Sequence, residues 1–243
     1  MDKFPVAKID LNSERLARVS PEIPYTQAPG SIALALGGVA IEFSRIERMP
    51  RYDERSREND AEHSFMLSLV ATELAHRLYP DTLDIGLVAQ FCPVHDLIEI
   101  ETGDIPTFHH SQFDMEAKAK AEQAAMERLL LRLPRYTGWL LQQYEQQELP
   151  EARFVRAIDK LLPVIVDILG KGRKVMEEDY GVETYDQLTF SHIKLHDRIA
   201  TTFAEFPEIV EAHDALLQIF RIIFEAQLMA TRQLESRTPV PQG

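Results

Sequence analysis

Two histidines and two aspartates that suit a single metal ion, His63, His95, Asp96 and Asp159, lie on three separate segments of this chain, so a fold that uses them must bring those segments to one point. Two imidazoles and two carboxylates match a catalytic divalent cation and leave coordination positions open for water and substrate. Glu99 and Asp104 follow the central pair closely.

The His-Asp dipeptide alone discriminates little, because the chain contains three of them. Context separates them. His95-Asp96 sits in FCPVHDLIEIETGDIP, where an apolar approach leads into the pair and Glu99 follows one helical turn later on the same face. His196-Asp197 has His192 one turn upstream, but Lys194 and Arg198 flank it and repel a cation, so a solvated helix face is the better reading. His213-Asp214 has only Glu211 nearby and reads as surface.

The apolar spacing is helical throughout, with no long strand-like alternation, and it predicts an all-α bundle. Residues 1–30, punctuated by Pro21, Pro24 and Pro29-Gly30, read as an irregular arm, 31–236 as a single domain and 237–243 as a flexible tail. A first helix is expected from Ile32 to Arg48, ending where Met49 precedes Pro50, with Arg51–Glu58 as a charged connection. The next helix takes Asn59 or Asp60 as its cap, carries His63 in its first turn, and offers Phe65, Met66, Leu69, Val70 and Leu74 as apolar positions. Thr82–Glu101 reads as the metal-bearing helix, kinked or broken near Ala89–His95 by Pro93. Asp104 then opens a loop whose His109 and His110 read as surface or lid residues.

Helices are also expected over Met115–Leu133, Tyr136–Gln147, Glu151–Leu169, Asp186–Glu205 and Pro207–Leu234. Asp159 is a carboxylate on a largely apolar helix, costly to bury unpaired; it needs a cation, and Arg156 is the non-metal alternative. Pro163 frees the Asp159 carbonyl and kinks the helix there. The stripe Leu216, Leu217, Ile219, Phe220, Ile223, Phe224 is expected in the core, with a homodimer contact as its second use.

A net charge of -13 argues against a broad nucleic-acid surface, yet a metal and an arginine can reverse the sign locally for a small anionic substrate. Cys92 is the sole cysteine, which excludes a disulfide framework and reads as a small buried hydrophobe. The low-polarity run Ile32–Ile41 is too short to span a bilayer, and the first residues lack an apolar signal core, so no membrane contact and a cytoplasmic location are expected.

Four fragments, RIERMPRY, ENDAEHSF, VHDLIEIETGDIPT and VRAIDKLLPVI, run in order between about Ala40 and Gly172. In that order and spacing the chain resembles the HD-domain superfamily, and within it the small 5′-deoxynucleotidase-like branch of nucleoside monophosphate phosphatases. The resemblance implies an HD-domain helical bundle with additional N- and C-terminal helices. It implies that His63, His95, Asp96 and Asp159 hold one divalent transition metal ion, that Glu99 and Asp104 are catalytic carboxylates, and that Arg48 binds the substrate phosphate. On this reading Glu99 positions or deprotonates the attacking water, Asp104 protonates the leaving oxygen or orients Glu99, and Arg48 clamps the phosphate with two bonds. Donor chemistry admits Mn, Fe, Co, Ni or Zn, and the resemblance favours cobalt or manganese in an assay. Two positions depart from the family: Met49 stands where its nucleotidases often carry Trp, and Pro93 is unusual so close to the His-Asp pair.

The substrate expected is a nucleoside 5′-monophosphate or another small phosphate ester. Competing readings are a two-metal phosphodiesterase, with His109 or His110 completing the second position, and a non-catalytic nucleotide- or metal-binding module.

Overall fold

Asn59 starts the helix that carries His63, and it does so with both halves of a capping box. Its Oδ1 accepts from the N–H groups of Ala61 and Glu62, each at 3.0 Å, while the Glu62 carboxylate accepts from the Asn59 N–H at 3.1 Å. Such a cap contributes about 1 kcal/mol. It also fixes which turn holds His63. The computed structural model of this protein describes residues 28–53, 56–103 and 115–237. Asp104, His109, His110 and most of the N-terminal arm and C-terminal tail lie outside them.

Helix α1 (Pro29–Phe43) stops short of Arg48. Hydrogen bonds at Ser44, Arg45 and Ile46 turn the chain, and strand β1 (Glu47–Arg51) pairs antiparallel with β2 (Arg57–Asn59). The expected helix through Arg48 and the charged connection after it are therefore corrected to a short hairpin. Its strands are polar and carry Pro50, so no apolar alternation announces them. Side chains hold the hairpin instead. Arg57 Nη1 donates to the Met49 carbonyl at 2.7 Å, and Arg51 and Arg57 both donate to Asp179 at 3.0 Å. Lys171 N–H donates to the Arg51 carbonyl at 2.9 Å, and a Cβ at Gly170 would collide with that same oxygen.

Helix α2 (Asp60–Leu78) buries the face His63, Ser64, Leu67, Ala71 and Ala75, whose small residues let α3 (Ile85–Phe91) and α7 (Pro150–Asp159) approach closely. Phe65 and Leu69, expected among the core positions, are 67% and 59% exposed. The long helix expected over Thr82–Glu101 breaks where Pro93 requires it. After α3, residues 92–98 run as successive turns with bonds such as Val94 N–H to Phe91 and Leu97 N–H to Val94, before the short α4 (Glu99–Thr102). Cys92 is fully buried there, and burial pushes its thiol up to about 12, which leaves it an inert hydrophobe.

The remaining helices are α5 (Met115–Arg132), α6 (Arg135–Gln146), α8 (Leu162–Leu169), α9 (Gly172–Tyr180), α10 (Asp186–Thr202) and α11 (Pro207–Arg237). Glu151–Leu169 is thus two helices, α7 and α8, split at Lys160-Leu161; Pro163 falls in the first turn of α8, where its missing N–H costs no bond. The main core gathers Leu67, Val88, Phe91, Phe154 and Ile158, and a second cluster under α8 to α11 contains Val164, Met176, Tyr185, Phe220 and Phe224. Most of the C-terminal stripe packs there, although Ile219 is 45% exposed. No helix among the described residues is long and apolar enough to cross a membrane.

The surface reading of His213 is corrected. Its side chain is fully buried and stacks on His196, with ring centroids 5.6 Å apart and planes inclined by 12°. The sign was available in the sequence, since His213 precedes Leu217 and Phe220 by one and two turns on the same face. Burial, then His196 and His192, push its pKa down from 6.5 to about 4, with Asp214 opposing weakly. The fold therefore favours neutral His213, a contribution complete above about pH 6.5 and lost as pH falls toward 4. Thermal denaturation followed across pH checks this: Tm falls over that window with uptake of one proton on unfolding, and His213→Leu flattens that part of the curve. An equally steep fall in the variant contradicts the assignment.

Candidate metal centre

Three separate breaks in regular structure deliver the four donors. His63 lies in the first turn of α2, His95 and Asp96 on the turns after Pro93, and Asp159 at the last residue of α7. One atom from each lies within 4.8 Å of the others, which is compact enough to share an ion. His63, His95 and Asp159 are 0%, 1% and 6% exposed, so the group is buried rather than a surface cluster.

Each imidazole is aimed by its second nitrogen. His95 Nδ1 lies 2.8 Å from the Cys92 carbonyl, which can only accept, so Nδ1 carries the proton and Nε2 faces the other donors. Asp96 Oδ2 is 2.9 Å from that Nε2 without the alignment of a hydrogen bond, and Nε2 is a buried nitrogen with no hydrogen-bond partner among the described residues. A lone pair so placed beside carboxylates is suited to a cation. This orphaned nitrogen, together with the mixed imidazole and carboxylate donor set, fits a divalent transition metal. His63 Nδ1 is 3.3 Å from Glu58 Oε2, and its Nε2 is 2.9 Å from Asp159 Oδ1. Burial opposes charge on His63, but the bonds to Asp159 and Glu58 outweigh it and push the imidazole up to about 9. A cation that takes Nε2 displaces that proton.

Asp159 would be expensive to bury alone. Burial resists its charge, but Lys160 and then His63 more than compensate and hold the carboxyl well below its usual range. Arg156, the partner weighed from the sequence, points elsewhere: it lies 3.5 Å from Glu145 and over the Tyr144 ring. For Asp96 burial again resists, His95 and Arg48 prevail, and the carboxyl is lowered.

Arg48 reaches the centre from β1, with its side chain 12% exposed, and is not the exposed helix-end charge it would have been on a longer α1. Its Nη1 donates to Asp60 at 3.1 Å and Asp96 at 2.8 Å, which uses both hydrogens of that nitrogen. Glu99 Oε2 lies 3.9 Å from the same Nη1, and Glu58 Oε2 lies 3.5 Å from Nε. Nη1 is therefore committed to the carboxylates, and a two-bond phosphate clamp such as the sequence suggests would use Nε and Nη2, Nε having no hydrogen-bond partner among the described residues. The bonds recorded for Arg48 among the described residues use Nη1, which leaves the hydrogens of Nη2 for a ligand.

Glu58, Asp60 and Lys160 belong to this centre although the sequence reading passed over them. Glu58 is fully buried and bridges His63, Arg48 and the Tyr52 hydroxyl at 3.1 Å. Asp60 is also fully buried, and burial, against Arg48, raises its carboxyl to about 6. A signal existed: Glu58 and Asp60 flank the cap Asn59 in ENDAEH and so share one side of the chain as the strand enters α2. The other candidate group, His192, His196 and Asp197, forms no metal-sized cluster among the described residues; His192 meets the Tyr185 hydroxyl at 2.9 Å.

Because Glu58 orients His63, Glu58→Gln weakens divalent-metal affinity by about 10- to 100-fold, the usual effect of removing a carboxylate behind a metal-binding histidine. Competition against a chromogenic chelator measures this directly. Unchanged affinity would show that Glu58 does not set the His63 ring.

The sequence profile of the HD domain family matches residues 44–200, the stretch that holds Arg48, His63, His95, Asp96, Glu99 and Asp159. A 5′-deoxynucleotidase of Vibrio vulnificus is 28% identical over 170 residues, which cover 58% of this chain and 86% of that protein. A 5′-deoxynucleotidase of Vibrio cholerae is 37% identical over 95 residues, and there the match spans only 48% of the relative and 37% of this chain. Among solved structures, a predicted metal-dependent phosphohydrolase from Magnetospirillum magnetotacticum superposes with a TM-score of 0.59 at 29% identity, covering 82% of this chain and 95% of that one. An HD-domain phosphohydrolase from Listeria innocua shares the fold at a TM-score of 0.51 and 13% identity, over 82% of this chain and 90% of that one. With the family profile matched across more than half its length, the chain belongs to the HD domain family.

Proposed function

We propose that this chain is a metal-dependent phosphohydrolase that converts nucleoside 5′-monophosphates, deoxynucleotides foremost, to nucleoside and phosphate. The observation that carries the reading is the four-donor group within 4.8 Å, with Arg48 placed against its Asp96 at 2.8 Å. The relatives from Vibrio vulnificus and Vibrio cholerae, both 5′-deoxynucleotidases, support the substrate class.

His63, His95, Asp96 and Asp159 would hold the ion. Once bound, a divalent ion there supplies Lewis acidity toward the phosphoryl group and makes a water more acidic. Every other task falls to side chains. Arg48, fixed through Nη1, presents Nη2 to a phosphate oxygen and neutralises charge that builds on phosphorus. Glu99, at the start of α4 beside Arg48, orients the attacking water and takes its proton. As the water oxygen bonds to phosphorus, the ester bond to the sugar oxygen breaks, and that oxygen needs a proton. Asp104 is proposed to donate it or to orient Glu99. Cobalt and manganese are the ions proposed for an assay.

The test is phosphate release from a panel of ribo- and deoxynucleoside 5′-monophosphates by metal-stripped protein resupplied with cobalt, manganese, magnesium or zinc. Turnover is expected with cobalt or manganese, and Glu99→Ala lowers kcat by about 10²-fold or more, the scale of losing a general base. Retained metal binding with no turnover of any monophosphate would contradict the reading and favour a binding module.

A further inference from the structure

We infer that Arg48 is a built-in cation that closes a second metal position, so that the centre takes one divalent ion per chain. The inference rests on the assignment of His63, His95, Asp96 and Asp159 as the metal centre. Beside them, Asp60, Asp96 and Glu99 form a second group whose carboxylate oxygens also lie within 4.8 Å of one another, and Asp96 belongs to both. A carboxylate shared by two neighbouring groups of donors is how a pair of ions is held for in-line displacement at phosphorus.

In this protein the neighbouring place already contains positive charge. Arg48 Nη1 lies 3.1 Å from Asp60, 2.8 Å from Asp96 and 3.9 Å from Glu99. Asp60 is fully buried, and its Oδ2 accepts no hydrogen bond from the described residues, so beside Glu99 the group holds a carboxylate oxygen shielded from water. Arg48 is not a surface tether that swings in by chance. It stands on β1, the strand anchored through Arg51 to the α8–α9 turn.

The substitution of guanidinium for a metal ion has chemical consequences. A guanidinium stays charged at any working pH and donates directed hydrogen bonds, but it cannot acidify a water or bind a leaving oxygen as a Lewis acid. With Nη1 neutralising the carboxylates and Nη2 open to a ligand, the centre suits a terminal phosphate, which needs charge neutralisation at its free oxygens. A diester, with one fewer free oxygen and a single negative charge, draws less on that neutralisation.

The decisive experiment counts manganese ions bound to metal-stripped full-length protein by equilibrium dialysis, with electron paramagnetic resonance to detect a spin-coupled pair. Wild type is expected to bind one ion, Arg48→Met two with a coupled signal, Arg48→Lys one, and Arg48→Met combined with Asp60→Asn one again. Circular dichroism checks that each variant folds. If Arg48→Met does not, Arg48→Gln removes the charge while keeping hydrogen-bond donors and makes the same test. Two ions in wild type, or a single ion in the folded uncharged variant, overturns the inference while leaving the metal centre intact. No ion at all in wild type removes the metal centre itself, and the inference with it.

Discussion

The constraint on which this structure depends is the repulsion among carboxylates gathered around two buried imidazoles. Glu58, Asp60, Asp96, Glu99 and Asp159 converge there, and among the described residues Arg48 and Lys160 are the permanent cations set against them. Two like charges about 4 Å apart repel by about 4 kcal/mol at the effective dielectric of a protein near its surface. No packing of apolar side chains offsets several such pairs in a domain of ordinary stability. Positive charge must enter, as Arg48, as Lys160, as the proton on His63, or as a divalent ion. That requirement connects fold to function, because a cluster that demands a cation is also one that can use it.

The helices meet the requirement by being interrupted. Had the chain continued as regular helix through residue 98, the Cys92 carbonyl would have been taken by a backbone N–H; with Pro93 in place it receives His95 Nδ1 instead, and Nε2 turns to the other donors. The second break, at Lys160-Leu161, leaves Asp159 at the negative end of α7, a position that raises the cost of its charge and makes Lys160 and the centre's cation necessary. The third is the start of α2, where the Asn59 capping box holds the His63 turn in register. The hairpin then brings Arg48 and Glu58 in from the other side.

Much of this was legible in the chain. His63, His95, Asp96 and Asp159 could be read because they stand in three fragments that come in order; the structure brings all four together. The consequence of Pro93 was legible because proline acts locally. Arg48 was named only through family resemblance, and its setting was misread, since a five-residue polar strand that contains Pro50 has no apolar alternation that distinguishes it from a loop. Glu58 and Asp60 were hidden for the same reason: charged residues next to a cap look solvated until tertiary contacts bury them. Lys160 was overlooked in favour of Arg156, which is one turn away along a helix, whereas the break after Asp159 makes its immediate neighbour the partner. His213 shows the reverse error, a polar residue assigned outward although it lay on the face of an apolar stripe.

The measurement that tests this account most directly is the position of anomalous scattering in crystals grown with manganese. The account predicts one strong peak contacted by His63, His95, Asp96 and Asp159, with Arg48 still against Asp96. A crystal with no peak among those four residues, or with the ion held by Asp60 and Glu99 and no histidine, would contradict it.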